Sequence, residues 1–112
     1  MSRADIVAVI PAFDCGKTIG EVVAGARRYL AEVVVVSDGS RDDTAAQALA
    51  AGARVESLPE NRGKGYALRR GIDLALARAP RALVLLDGDG QHDPEDIPAL
   101  LAAWDSGAVD LV

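Results

Sequence analysis

Asp87 and Asp89 stand one residue apart in Asp87-Gly88-Asp89-Gly90-Gln91, directly after the apolar run Leu83-Val84-Leu85-Leu86. Two carboxylates this close repel each other unless a cation lies between them. Oxygen ligands on a loop made flexible by glycine suit Mg²⁺ or Mn²⁺ better than zinc. The chemistry expected is a divalent ion at a strand end, waiting for an anion such as a diphosphate. The plainer alternative is an acidic loop that only caps the helix after it.

Three other stretches carry polar groups with spacings that matter. Pro11-Ala12-Phe13-Asp14-Cys15-Gly16-Lys17-Thr18 imitates a phosphate-cradling P-loop, with Leu83 to Asp87 as the strand whose aspartate holds Mg²⁺. Pro11, however, replaces the first glycine of that motif and removes an N–H, and Asp14 sets a carboxylate beside the phosphates. A phospho-acceptor domain would need paired acids where Pro11-Ala12-Phe13-Asp14 stands. The remaining stretches are Ser37-Asp38-Gly39-Ser40 and Pro59-Glu60-Asn61-Arg62-Gly63-Lys64-Gly65, where Arg62 and Lys64 read equally well as solvated charges.

The elements that position these residues alternate. Ile6 to Ile10 reads as a strand stopped by Pro11. A capping box of Thr18 and Glu21 starts a helix near Ile19, with Ile19, Val22, Val23, Ala26 and Leu30 on one face. Val33 to Val36 is a second, buried strand. Ser40 with Asp43 caps a helix over about Asp42 to Ala51, closed by Gly52. Arg54 to Leu58 is a short edge strand, and Gly65 to Ala79 a helix with Leu68, Ile72, Ala75, Leu76 and Ala79 on its apolar stripe. The run before Asp87 is the fourth strand. Asp93 and Pro94 open a fourth helix carrying Ile97, Leu100, Leu101 and Trp104. Val109 to Val112 begins a fifth strand. Such alternation implies an α/β fold with a doubly wound, mostly parallel sheet. Every chemically interesting loop follows a strand, so all four share one sheet edge. Tyr66 and Trp104 read as packing residues and His92 as a loop residue.

The 112 residues suit one domain spanning 1–112. With 12 Lys and Arg against 17 Asp and Glu, the formal charge of −5 argues against nucleic acid as a partner. A phosphorylated ligand would then need a metal or a local basic cluster. The lone Cys15 excludes an intrachain disulfide framework and fits a reducing compartment. No apolar run approaches the roughly 18 residues of a membrane span, and no signal-peptide core opens the chain. A cytoplasmic location is expected, with the inner face of a membrane as a variant.

Together the four stretches resemble the donor-binding N-terminal half of family 2 inverting glycosyltransferases of the GT-A fold, closest in look to polyprenyl- and dolichol-phosphate mannose or glucose synthases. Pro11-Ala12-Phe13-Asp14 is similar to that family's Pro-Ala-Tyr-Asn. Val36-Ser37-Asp38-Gly39-Ser40-Arg41-Asp42-Asp43-Thr44 is similar to Val-Asp-Asp-Gly-Ser-x-Asp-x-Thr. Asn61-Arg62-Gly63-Lys64-Gly65-Tyr66-Ala67 matches Asn-x-Gly-Lys-Gly-x-Ala, and Asp87-Gly88-Asp89 matches the DxD segment. Asp14, Cys15 and Ser37 depart from the pattern, standing where the family has Asn, Glu and Asp.

The resemblance implies that Asp38 contacts the nucleotide base, with Pro11 and Ala12 lining its pocket. Gly39, Gly63 and Gly65 would let backbone approach the ligand, with Arg62 and Lys64 near base and ribose. Asp87 would face the ribose or the metal shell. Asp87, Asp89 and Gln91 would form the ligand set for Mg²⁺ or Mn²⁺, with Asp87 and Asp89 the catalytic pair. The implied reaction transfers sugar from a GDP- or UDP-sugar, with inversion, to an acceptor such as a polyprenyl phosphate. A non-catalytic nucleotide-binding module and a degenerate P-loop NTPase are the alternatives. Family members continue beyond the fifth strand into an acceptor half. A sheet ending there would leave an edge open to a second copy of the chain.

Overall fold

The computed structural model describes residues 6–30 and 32–88. Seven elements follow in order: strand β1 (Ile6–Ala12), helix α1 (Ile19–Arg27), β2 (Glu32–Asp38), α2 (Thr44–Ala50), β3 (Arg54–Leu58), α3 (Lys64–Leu76) and β4 (Ala82–Leu85). All strand pairings are parallel, in the order β3-β2-β1-β4. The expected doubly wound α/β sheet is therefore present. The fourth helix and fifth strand expected from Asp93 onward lie outside the described residues.

Alternation along β1 divides the core into two layers. Ile6, Ala8, Ile10 and Ala12 face α1 and α2, together with Val33, Val35, Val84 and Leu86. Val7 and Val9 face α3 with Val34 and Leu83. A strand covered on both faces has no polar side to show, which is why Val33 to Val36 are all apolar. The chain runs outward from β1 to β3, then returns to the far side of β1 to lay down β4. That reversal opens a crevice between β1 and β4 at their carboxyl ends.

Three expectations about local structure are corrected. β1 does not stop at Pro11 but runs through it, Pro11 pairing with Val36 and Ala12 with Ser37. Leu86 N–H donates to Val9 C=O, so by alternation Pro11 faces β4 beyond that strand's last paired residue, where no ladder donor is needed. β2 likewise extends beyond the expected Val33 to Val36, through Ser37 and Asp38. Finally, α3 ends at Leu76 rather than Ala79, and Ala79 takes φ +50° ahead of Pro80. The deeply buried stripe of α3 is Ala67, Gly71 and Ala75, flanked by Leu68 and Ile72, whereas Leu76 is exposed. Small residues win there because the helix lies close to the sheet. A Cβ on Gly71 would come 2.5 Å from Val9 Cγ1.

Candidate functional site

A cavity of about 280 Å³ occupies the crevice. Pro11, Ala12, Phe13 and Cys15 line it from the β1–α1 loop, Asp38 from the end of β2, Asn61, Gly63, Lys64 and Ala67 from the start of α3, and Asp87 and Gly88 from the end of β4. Six of the eight expected nucleotide-binding residues thus meet at one cavity: Pro11, Ala12, Asp38, Gly63, Lys64 and Asp87. Gly39 and Arg62 stand outside its lining.

Asp38 is 3% exposed and organises the loop before α3. One carboxylate oxygen accepts the Arg62 N–H at 2.7 Å and the other the Gly63 N–H at 3.0 Å. Asn61 Nδ2 donates to the Asp38 carbonyl at 3.2 Å. Gly39 is required at this junction. It takes φ +68°, and a Cβ there would lie 2.3 Å from the backbone nitrogen of Asn61. Among the described residues Gly63 (φ +97°) and Gly65 have nothing within 4 Å of such a Cβ, so backbone there can approach a ligand closely.

The β1–α1 loop settles the P-loop alternative. A phosphate cradle needs unoccupied N–H groups. Here Asp14 N–H donates to Ser40 Oγ at 3.1 Å, Cys15 N–H to Thr44 Oγ1 at 2.8 Å and Gly16 N–H to Asp42 Oδ2 at 3.0 Å. Three consecutive donors are taken by the next loop of the protein itself, and the P-loop reading is set aside. The same bonds correct the expected caps. Ser40 does not cap α2, and Asp43 makes no side-chain cap bond; Asp42 accepts from both the N–H and the hydroxyl of Thr44 instead. Thr18 makes no side-chain cap bond to α1 and donates its hydroxyl to the Gly88 carbonyl at 2.8 Å.

Asp14 departs from the family pattern and has a structural partner. It takes φ +50° and accepts the Arg41 N–H at 2.8 Å on Oδ1, while Arg41 Nη2 and Nε reach Oδ2 at 2.8 and 3.2 Å. The Arg41 backbone N–H, then its guanidinium, hold the Asp14 carboxyl below its usual range. The Thr44 hydroxyl, then the Gly16 N–H, do the same for Asp42. Arg41 also lies 5.6 Å from the centroid of the Phe13 ring, and Arg62 lies 5.5 Å from that of Tyr66. Tyr66 is half exposed at this rim and is no core packing residue. The Phe13–Arg41 pair spans 28 residues and leaves no local sequence pattern, whereas the i,i+4 spacing of Arg62 and Tyr66 is a signal that could have shown theirs.

On the β4 side, Lys64 Nζ meets Asp87 Oδ1 at 2.5 Å across the crevice. Of the expected ligand set, Asp89 and Gln91 lie outside the described residues. Among the described residues no three His, Cys, Asp or Glu side chains gather to hold a metal. Asp87 nonetheless fits the role expected of it. Its oxygen opens on the cavity and already holds a stand-in cation, the Lys64 ammonium, and two acids with an amide form the oxygen-only set that Mg²⁺ and Mn²⁺ favour.

A parallel doubly wound sheet with a ligand crevice at its switch point defines a Rossmann-like α/β class. Within it, the chain belongs to glycosyl transferase family 2, whose model matches residues 7–112. An uncharacterised protein of Methanocaldococcus jannaschii is 37% identical over 94% of this chain and 46% of its own length. The polyprenol monophosphomannose synthase of Mycolicibacterium smegmatis is 42% identical over 68% of this chain and 31% of its own. Among solved structures, glucosyl-3-phosphoglycerate synthase from Mycobacterium tuberculosis in complex with Mn²⁺, UDP-glucose and phosphoglyceric acid superposes with a TM-score of 0.73. It is 32% identical, covering 91% of this chain and 39% of that one. The same synthase has been solved with Mg²⁺ and UDP. The fold is thus that of the GT-A glycosyltransferases. The chain spans a quarter to a half of the length of the relatives it matches. No helix among the described residues is long and apolar enough to cross a membrane.

Proposed function

We propose that this chain carries the donor site of a glycosyltransferase, binding a nucleotide-diphosphate sugar through Mg²⁺ or Mn²⁺ and passing the sugar, with inversion, to a polyprenyl phosphate. The observation that carries this reading is the convergence of Pro11, Ala12, Asp38, Gly63, Lys64 and Asp87 on one cavity at the sheet's switch point. In it the base lies between Pro11 and Ala12 and the Asp38 junction, whose carboxylate keeps lone pairs beyond those given to Arg62 and Gly63. The open face of Gly63 admits the ribose, and Arg62 borders it from the rim beside Tyr66.

Asp87, with Asp89 and Gln91, would hold the ion, which when bound supplies positive charge to the departing diphosphate. The chain's own residues position the donor and shield it within the crevice. A phosphate acceptor is largely ionised near neutral pH, since its second pKa is about 6, and needs no strong protein base. Such a lipid acceptor would place the reaction at a membrane surface, on its cytoplasmic side. Phosphoglyceric acid, seen with the solved neighbour, is the alternative acceptor.

Thermal melting with millimolar UDP, GDP or their sugar conjugates tests the donor site. One nucleotide should raise the midpoint with Mn²⁺ present and fail to do so with chelator, because ligand at about 100 times its Kd adds about 2.7 kcal/mol. No shift with either nucleotide would sink the proposal. Binding without transfer to any lipid phosphate would leave a nucleotide-binding module.

A further inference from the structure

We infer that Lys64 is an exchangeable counter-cation: in the metal-free protein it occupies the position of the divalent ion on Asp87, and it moves to the diphosphate when ion and nucleotide enter together. This rests on the metal-dependent donor site proposed above.

The two ends of the Lys64–Asp87 contact differ in freedom. The Asp87 side chain is 15% exposed, whereas that of Lys64 is 67% exposed. The acid is held in place, and the ammonium arrives on a solvated arm. The root of that arm is fixed, because Lys64 is the first residue of α3 and the preceding Gly63 N–H is tied to Asp38 at 3.0 Å. A four-carbon stem on a fixed root can swing its charge several ångströms without disturbing the helix. Both residues line the same cavity, so the swing stays within the crevice.

Electrostatics gives the direction of the swing. A divalent cation approaching Asp87 meets the ammonium already there and is repelled by it. A nucleotide diphosphate arriving with the ion offers Lys64 anionic oxygens as a new partner. Ion and nucleotide therefore favour each other's binding by the same factor, as linkage requires. Either one alone binds poorly. Lys64 thus has a diphosphate partner in the loaded state, beyond its placement near base and ribose.

The test is a Mn²⁺ titration read by electron paramagnetic resonance of the free ion, with and without saturating UDP. It compares the unaltered protein, Lys64→Met and Lys64→Arg, with circular dichroism melts to confirm that each is folded. Lys64→Met should bind Mn²⁺ alone about five-fold or more tighter, and UDP should then tighten Mn²⁺ binding less than it does in the unaltered protein. Lys64→Arg keeps the charge and should stay close to the unaltered protein. If Mn²⁺ alone binds Lys64→Met no more tightly, or if the UDP effect is unchanged there, the exchange is overturned while the metal-dependent site stands. If Mn²⁺ binds none of the three even with UDP, both the exchange and the donor-site reading fall.

Discussion

Asp38 and Gly63 join the end of β2 to the start of α3, the buried carboxylate accepting the Gly63 N–H at 3.0 Å while its other oxygen holds Arg62. This junction shapes one wall of the crevice. Asp38→Asn presents an NH₂ to one of two N–H donors and leaves that donor without a partner. The variant should lose about 1–3 kcal/mol of stability, measured by urea denaturation, and its nucleotide affinity should fall with it. Unchanged stability would show that the loop holds its shape without Asp38.

Gly39 and Gly65 should respond to alanine in opposite ways. At Gly39 the backbone takes φ +68° and the added methyl meets the Glu60–Asn61 backbone, so the loss should be at least about 2 kcal/mol. Gly65 lies in the first turn of α3, with no described residue within 4 Å of an added methyl. Alanine there should gain up to about 1 kcal/mol of helix stability, seen as a higher melting midpoint. If the nucleotide lies against this glycine, affinity should drop as the midpoint rises.

Acid should loosen the Asp14–Arg41 clamp late. Asp14 sits below its ordinary pKa of 3.8 because Arg41 donates to it from backbone and side chain. A carboxyl with a lowered folded pKa contributes stability that is complete above its unfolded value and is lost as pH falls through the folded one. The contribution should therefore persist to about pH 4 and vanish only below it. Carbon-detected NMR titration of the Asp14 carboxyl checks this, and Arg41→Ala should return the midpoint to the ordinary range.

Stripping divalent ions should weaken nucleotide binding at least about tenfold, and Asp87→Ala should do the same in the presence of Mn²⁺. Isothermal titration with UDP and GDP measures both. Equal affinity with and without chelator would contradict a metal-bridged diphosphate.

Much of this architecture was legible in the residues. A short β-branched run such as Val33 to Val36 reads as a strand buried on both faces, and the loops between parallel strands and the following helices then share an edge. The six cavity residues came from the family resemblance of those loops, and the shared edge explains why they meet. What escaped were side-chain bonds over long separations. Ser40 and Asp43 spaced as a cap, or Thr18 with Glu21, look the same in sequence whether the hydroxyl turns to its own helix or across to Cys15, Asp14 or Gly88. The expected stripe of α3 holds at Leu68, Ile72 and Ala75 and fails at Leu76 for a related reason. Hydrophobicity favours Leu76, but the distance from helix to sheet selects Gly71 and the alanines beside it.

The saturation of Asp14, Cys15 and Gly16 N–H groups by Ser40, Asp42 and Thr44 makes the first two loops a single cassette. The donors are main-chain groups that a proline-free graft of 11–18 would keep, whereas a foreign segment 37–44 without Ser40, Asp42 and Thr44 would leave them without acceptors. Altering the second loop therefore has to retain Ser40, Asp42 and Thr44 if the first is to keep its shape.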